Sequence, residues 1–235
     1  MFYKFILALR SLLYYVLMFS SAFIFMSLMY LALLLPFRVR FKLSQIWTLV
    51  CIQLAKWICG VDYEVKGLEN VTAGPYVFLC RHESAWETLA LNTLLPPTVF
   101  VCKKSLLMVP FFGWAMLLTR QIPIDRSQGI KSFKKVIKQG KNRLEQGLSI
   151  GIFPEGTRIK PGEYPAFSKS GASLAKACGY PIIPIALNSG KVWPRNSFIK
   201  YPGKITVVIG KPIDSKMHST DEINSLCYEW IKHNC

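Results

Sequence analysis

The feature that most constrains this chain is an uncharged apolar run near its start, residues 11–36, SLLYYVLMFSSAFIFMSLMYLALLLP. As a helix, this run is long enough to cross a hydrocarbon core of ~30 Å with some tilt. A secretory signal peptide is the competing interpretation. However, the run exceeds the usual ~7–15 apolar residues, and PFRVRFK follows it instead of a small-residue cleavage site. Positive residues flank the run on both sides, so a hairpin that dips into one leaflet is a third interpretation.

The chain is strongly basic, with a formal net charge of +16 over 235 residues. Nucleic acid is the generic partner of such a chain. A chain with a membrane segment has a simpler partner in the anionic face of a bilayer, where each nearby Lys or Arg contributes about 1 kcal/mol. We therefore expect membrane lipids as the partner of the basic surface, and no nucleic acid.

The seven cysteines are scattered, odd in number and free of any C-x-x-C spacing. This pattern argues against both a disulfide framework and a zinc site, and it is typical of a reducing, cytosolic setting. Arg38, Arg40 and Lys42 follow the apolar run, against Lys4 and Arg10 before it. The positive-inside rule then places the C-terminal side on the cytoplasmic face of the membrane.

A second helix is predicted over residues 43–60, LSQIWTLVCIQLAKWICG, because its apolar residues recur at helical spacing. We interpret residues 1–60 as a membrane-attached helical pair and residues 61–235 as a catalytic domain. An ordinary amphipathic core helix is the alternative for 43–60.

The rest of the chain alternates short apolar runs with helical patterns. Strands are predicted over 75–80, 98–103, 121–126, 149–154, 181–187 and 204–210, and helices over 84–94, 130–146, 168–178 and 219–233. Continuous apolar strands alternating with helices predict an α/β domain with a mixed sheet covered by helices on both faces. The helix over 130–146 carries many lysines, which favours a solvated face. The alternative is a face that meets anionic headgroups or substrate phosphates.

The stretch HESAWE, residues 82–87, follows a predicted strand and precedes a predicted helix. His82 should therefore lie at a strand-to-helix junction, where ligand sites of α/β sheets collect. Ser84 and Glu87 also match a capping box, in which the serine caps the helix and the glutamate reaches back to the N-cap amide. The two roles are compatible, because a carboxylate held there is aimed at His82. Capping argues against Ser84 as a nucleophile. A Cys80–His82 dyad is conceivable, but cysteine is more often a small buried apolar residue.

A second segment, GIFPEGTRIKPG at 151–162, predicts a sharp turn after a strand. The turn would present Glu155, Thr157 and Arg158, and the donors of an arginine fork suit phosphate. A turn with a solvated arginine is the alternative.

Taken together, these motifs resemble the glycerolipid acyltransferase family, and most closely its 1-acyl-sn-glycerol-3-phosphate (lysophosphatidic acid) acyltransferase branch. H-x-x-x-x-acid at 82–87 is followed by FPEGTR at 153–158. Between them, CKKSLLMVPFFGWAM and IPIDR resemble the family's second block, and FSKSGASLAKACGYPIIPIAL resembles its fourth. The resemblance spans about residues 75–187. One departure is Glu87, where the family usually has aspartate.

The resemblance implies transfer of a fatty acyl group from acyl-CoA or acyl carrier protein to the sn-2 hydroxyl of 1-acyl-sn-glycerol 3-phosphate. His82 would be the general base and Glu87 would orient its ring. No metal or other cofactor would be needed, because a thioester is already activated. The implied binding residues are Arg158, Lys103, Lys104 and Arg126 for the substrate phosphate, and Glu155, Gly156, Thr157 and Gly171 for the acceptor pocket.

Three alternatives stay open at this point. Arg126 could instead pair with its neighbour Asp125. The acceptor could be another lyso-lipid or glycerol 3-phosphate. From a different class, the chain could be a non-catalytic basic membrane protein that binds anionic lipid. For the enzyme, we expect a location in the cytoplasmic (inner) membrane with the catalytic domain on the cytoplasmic side.

Overall fold

The computed structural model describes residues 1–72, 74–110 and 112–235. Its seven α-helices are α1 Phe2–Leu31, α2 Phe37–Leu54, α3 Trp86–Leu94, α4 Phe112–Leu118, α5 Gly129–Glu145, α6 Ser170–Cys178 and α7 Thr220–Asn234. Its seven strands are β1 Val61–Lys66, β2 Val77–Cys80, β3 Thr98–Lys103, β4 Ile122–Ile124, β5 Ser149–Ile152, β6 Ile182–Leu187 and β7 Gly203–Ile209.

The helical pair at the N-terminus is present, but its second helix begins earlier than predicted. Pro36 is the N-cap residue of α2 and has the non-helical backbone typical of that position. The positive residues after the apolar run therefore lie within the first turns of α2 rather than in a connecting loop. The helix ends in a wider turn, Ala55–Cys59, and Gly60 in the left-handed conformation stops it.

In the described part of the chain, the first helical segment is the one helix long and apolar enough to cross a membrane, by length and composition. Most of its large apolar side chains are exposed, whereas one stripe is buried against the rest of the protein. The buried residues of α1 are Leu7, Ser11, Tyr14, Ala22 and Met29. Their spacing of three, four or about seven residues marks one helix face.

A buried lysine holds α1 against the domain. The Lys200 ammonium donates to the hydroxyl of Tyr15 and to the carbonyl oxygens of Ser197 and Phe198, at 3.2 and 2.9 Å respectively. It also lies 4.3 Å from the ring centroid of Tyr15 and 4.8 Å from that of Trp193. Burial lowers the pKa of this amine to about 8. The helical pair is therefore packed on the domain, and the boundary at residue 60 stays a prediction.

The seven strands form one mixed sheet in the order β1-β7-β6-β2-β5-β3-β4. Five neighbouring strands are parallel to one another: β6, β2, β5, β3 and β4. Strand β7 is antiparallel to β6 and parallel to β1. The carboxyl ends of the five parallel strands therefore meet at one edge of the sheet. In open sheets of this kind, ligands bind outside that edge.

Helices cover both faces of the sheet, as predicted. Along β2, Phe78 and Cys80 face a core built with α1, α2 and α3, whereas Val77 and Leu79 face a core built with α5, α6 and α7. This alternation is the period of two that a strand imposes. The sheet is thus buried on both sides, which explains why its central strands read as continuous apolar runs.

The sequence-based prediction located six of the strands and the helices α3, α5, α6 and α7 to within a few residues. It missed β1 and α4. The β1 sequence, VDYEVK, alternates apolar and charged residues, which is the signal of a strand with one polar face. Helix α4 has seven residues and includes a glycine, so the segment is too short to show a helical period in the sequence.

Candidate active site

The candidate site lies at the sheet edge where the parallel strands end. His82 follows β2, Glu155 follows β5, and Ser189 follows β6. Hydrogen bonds between these segments join three different strand ends around one histidine. The predicted position of His82 at a strand-to-helix junction is confirmed.

His82 and Glu87 form a close pair. The Nδ1 atom of His82 lies 2.7 Å from Oε2 of Glu87. The glutamate side chain is fully buried, and 14% of the histidine side chain is exposed. A carboxylate at Nδ1 favours the tautomer with the proton on Nδ1, which leaves Nε2 free to accept a proton.

The other oxygen of Glu87 is surrounded by donors. Oε1 accepts hydrogen bonds from the backbone N–H groups of Ser84 and Glu83, at 2.7 and 3.2 Å, and from the Ser84 hydroxyl at 3.0 Å. The hydroxyl of Ser189, from the turn after β6, donates to the same oxygen. These four donors supply what a buried carboxylate needs in place of water.

The capping box is half formed. Glu87 accepts from the Ser84 amide, as predicted, but α3 begins at Trp86. The Ser84 hydroxyl therefore accepts from the N–H of Trp86, at 3.0 Å, rather than from the N–H of Glu87. Ser84 is completely buried and its hydroxyl is engaged on both sides, which supports the expectation that it is not a nucleophile.

The turn over residues 153–159 wraps around His82. The ring of Phe153 stacks on the imidazole, with centroids 4.0 Å apart. The N–H of Ile159 donates to the carbonyl oxygen of His82 at 2.8 Å, and Oε1 of Glu155 accepts from the His82 N–H at 3.4 Å. Backbone and ring of the histidine are thus both fixed by the FPEGTR segment.

Glu155 is an unusual carboxyl group. Its Oε2 is buried and has no hydrogen-bond partner among the described residues. Desolvation by burial raises the pKa of this carboxyl to about 7. Glu155 therefore titrates near neutral pH, beside a candidate catalytic histidine.

Cys80 does not pair with His82. Its side chain is buried in the core beneath α3, and its thiol is 3.2 Å from the carbonyl oxygen of Arg81. Burial raises the pKa of this thiol well above its usual value, so it stays protonated. These features agree with Cys80 as a small core residue.

The predicted phosphate-binding residues lie at or after the carboxyl ends of three strands, β3, β4 and β5. Arg126 follows β4, and its guanidinium donates to the carbonyl oxygen of Gly156 in the FPEGTR turn. The alternative pairing with Asp125 is absent from the ion pairs of the described residues, and that carboxylate accepts from Ser127 and Gln128. The carbonyl oxygen of Arg158 accepts from the guanidinium of Arg195.

The two predicted lysines, Lys103 and Lys104, are exposed at the end of β3. Hydrogen bonds from Ser127 and, more weakly, the charge of Lys104 lower the pKa of Asp125, so Lys104 lies near the start of the Arg126 segment. Of the acceptor-pocket residues, Gly156 takes the left-handed conformation in the turn and Thr157 is exposed.

Gly171, the remaining residue of the predicted acceptor pocket, lies in a helix and not in the FPEGTR turn. It lies buried near the start of α6, and a Cβ atom there would come within 2.3 Å of Leu79 Cδ1. The missing side chain thus lets α6 pack closely on β2. A contact of Gly171 with substrate stays a prediction.

The absence of a metal also stays a prediction. In the described part of the chain no three His, Cys, Asp or Glu side chains cluster as a metal site.

Sequence reasoning missed three contributors to the site. Arg81 and Glu83 flank His82 and form a buried ion pair at 2.7 Å. Oε2 of Glu83 accepts from the N–H of Gly190 at 2.8 Å, next to Ser189. The available signal for Ser189 was its position just after a predicted parallel strand, where site residues collect.

The comparisons with known proteins identify the family of the chain. A family model described as Acyltransferase matches residues 62–188, more than half of the chain. The chain belongs to the acyltransferase family. The match begins at β1 and ends just after β6, so it includes HESAWE and the FPEGTR turn.

The chain is 42% identical over 229 residues to the 1-acyl-sn-glycerol-3-phosphate acyltransferase of Pseudomonas aeruginosa, which covers 95% of this chain and 89% of that protein. It is 32% identical over 173 residues to the protein of the same name from Saccharomyces cerevisiae, covering 72% of this chain and 57% of that one. The crystal structure of the 1-acyl-sn-glycerophosphate (LPA) acyltransferase PlsC from Thermotoga maritima is similar in fold. Its TM-score is 0.81 at 20% identity, with 96% and 95% of the two chains covered.

The raised pKa of Glu155 predicts a specific pH dependence of stability. In the unfolded chain this carboxyl ionises near its ordinary value of 4.5, but in the folded protein it keeps its proton up to about pH 7. The folded state therefore binds more protons between these values, and stability falls as pH rises from about 4.5 to 7. Glu155→Gln keeps the carbonyl acceptor and cannot ionise, so it should lack this decline. Melting temperatures of both proteins in detergent across this range measure the difference, and parallel curves would contradict the assignment.

Proposed function

We propose that this acyltransferase moves a fatty acyl group from acyl-CoA or acyl carrier protein to the sn-2 hydroxyl of 1-acyl-sn-glycerol 3-phosphate, giving phosphatidic acid. The observation that carries the proposal is the contact between His82 and the buried Glu87 at the carboxyl edge of the sheet. The names of the relatives from Pseudomonas aeruginosa and Saccharomyces cerevisiae support the choice of acceptor.

In this mechanism Nε2 of His82 takes the proton of the acceptor hydroxyl as its oxygen attacks the thioester carbonyl carbon. Glu87 stabilises the imidazolium that forms, which is the orienting part of a catalytic triad without a covalent serine. The carbon–sulfur bond then breaks, and the imidazolium returns its proton to the departing thiolate. Such general base catalysis typically contributes 10²–10⁴-fold.

The acceptor's phosphate would bind to Arg126, Arg158 and the two lysines, Lys103 and Lys104. The contact of Arg126 with the Gly156 carbonyl supports this, because it brings a cation from the end of β4 to the turn beside His82. Glu155, Gly156 and Thr157 would shape the acceptor pocket there, with Gly171 beneath it. A thioester is already activated, so the mechanism uses no metal or other cofactor.

Both substrates are amphiphiles, so the enzyme would work at a membrane surface. The exposed apolar side chains of α1 and the net charge of +16 support residues 1–60 as the membrane attachment. The proposed location is the cytoplasmic (inner) membrane, with the catalytic domain on the cytoplasmic side. The basic surface would contact anionic lipids and, for a carrier-protein donor, that acidic protein.

Replacing His82 by alanine tests the proposed base. His82→Ala should lower the rate of labelled acyl transfer from acyl-CoA to lysophosphatidic acid by at least 10²-fold, because the proposed general base is lost. His233→Ala, on the exposed surface of α7, is the matched control and should be as active as the wild type. Cys80→Ser should also keep its turnover.

Retained turnover in folded, membrane-bound His82→Ala would reject the mechanism, and a large loss in Cys80→Ser would instead favour a thiol route. A wild-type protein that acylates only other lyso-lipids or glycerol 3-phosphate would reject the proposed acceptor.

Replacing Arg126 tests the phosphate site. Arg126→Ala should raise the KM for lysophosphatidic acid about tenfold and leave the KM for acyl-CoA unchanged, because one charge-assisted contact to the phosphate is lost. With 1-acylglycerol, which has no phosphate, variant and wild type should have the same KM. Lys141→Ala is the control, since this cation lies near the end of α5, which leads to the opposite edge of the sheet. An equal rise in KM for both acceptors would place the phosphate elsewhere.

A further inference from the structure

The turn that follows β6 contacts HESAWE at two points. The hydroxyl of Ser189 donates to Oε1 of Glu87, and the N–H of Gly190 donates to Oε2 of Glu83 at 2.8 Å. Ser189 is 102 positions from Glu87 in the sequence and is completely buried. The contact therefore depends on the tertiary fold.

The turn is itself well anchored. The carbonyl oxygen of Ser189 accepts from the N–H groups of Val192 and Trp193, at 3.1 and 2.8 Å. A Cβ atom at Gly190 would come within 3.0 Å of the Glu83 side chain, so the backbone approaches HESAWE closely. Ser189 is thus presented to Glu87 from a fixed support.

Ser189 differs from the other donors to the Glu87 carboxylate. The Ser84 amide, the Ser84 hydroxyl and the Glu83 amide belong to the same short segment as Glu87 and move with it. Within the described part of the chain, Ser189 is the one donor to Oε1 from another strand end. Ser189 therefore fixes the position of the Glu87 carboxylate relative to the sheet, whereas the other donors fix it only relative to its own segment.

We propose that Ser189 is a positioning residue, which holds the Glu87 carboxylate so that Oε2 aligns Nδ1 of His82 for proton transfer. This inference rests on the proposed function, in which Glu87 orients His82. Ser189 itself touches neither substrate nor the reacting atoms.

The length of the glutamate explains why this donor matters. The carboxylate of an aspartate at position 87 would lie about 1.5 Å closer to the backbone, the length of one carbon–carbon bond. It could not contact both His82 and Ser189 without a shift of the backbone. The longer, more flexible Glu87 side chain has an additional torsion, and the Ser189 hydroxyl fixes it.

The test compares Ser189→Ala with Ser215→Ala. Ser215 is also completely buried, and its hydroxyl donates to the carbonyl oxygen of Ala175 at 3.1 Å, between α6 and the segment before α7. Both variants lose one buried hydrogen bond. Ser189→Ala should lower kcat about tenfold with unchanged KM for both substrates, as loss of a hydrogen bond to a charged group predicts. Ser215→Ala should keep the wild-type kcat.

A second variant and a second background make the test independent of folding. Ser189→Cys replaces the hydroxyl by a slightly larger thiol, which is a weak donor, and should also lose turnover. In a Glu87→Gln background, Ser189→Ala should lower kcat less than twofold further, because the carboxylate that it positions is gone.

Wild-type kcat in Ser189→Ala would overturn the proposal, and so would an equal tenfold loss in the Glu87→Gln background. A rise in KM without a change in kcat would also overturn it, because it would indicate a substrate contact. The proposed function fails differently, by retained turnover in His82→Ala.

Discussion

The arrangement of the site depends on one buried carboxylate. Glu87 is completely buried, and burying an unpaired charge would cost several kcal/mol. Four donors and His82 compensate for the lost water, and they come from the β2–α3 junction and the turn after β6. The sheet must therefore bring the ends of β2 and β6 together before the histidine can be oriented. In this sense the fold is a condition of the proposed chemistry.

Much of this could be predicted from the sequence. The apolar runs gave the central strands because a sheet covered on both faces buries both sides of each strand. His82 was located because a strand pattern stops just before it and a helix pattern starts just after it. Glu87 was identified from its spacing to Ser84 and His82. The cap differs from the predicted one, because the Ser84 hydroxyl accepts from the N–H of Trp86 and not from that of Glu87.

Other parts depend on contacts between distant segments, which no local pattern encodes. Ser189 reaches Glu87 across 102 positions, and Lys200 reaches Tyr15 across 185. The contact of Arg126 with the FPEGTR turn could not be predicted for the same reason, since it depends on where β4 ends relative to β5. Lys200 and the shared apolar core pack α1, with its exposed apolar surface, on the domain that carries the site.

The central claim, that Glu87 fixes the tautomer of His82 and leaves Nε2 as the base, can be measured directly by ¹⁵N NMR of histidine-labelled protein in detergent micelles. The chain has three histidines, and comparison with His82→Ala assigns the signals of His82. We expect a single neutral tautomer, protonated at Nδ1, in the wild type and its loss in Glu87→Gln. Protonation at Nε2, or a tautomer unaffected by Glu87→Gln, would contradict it.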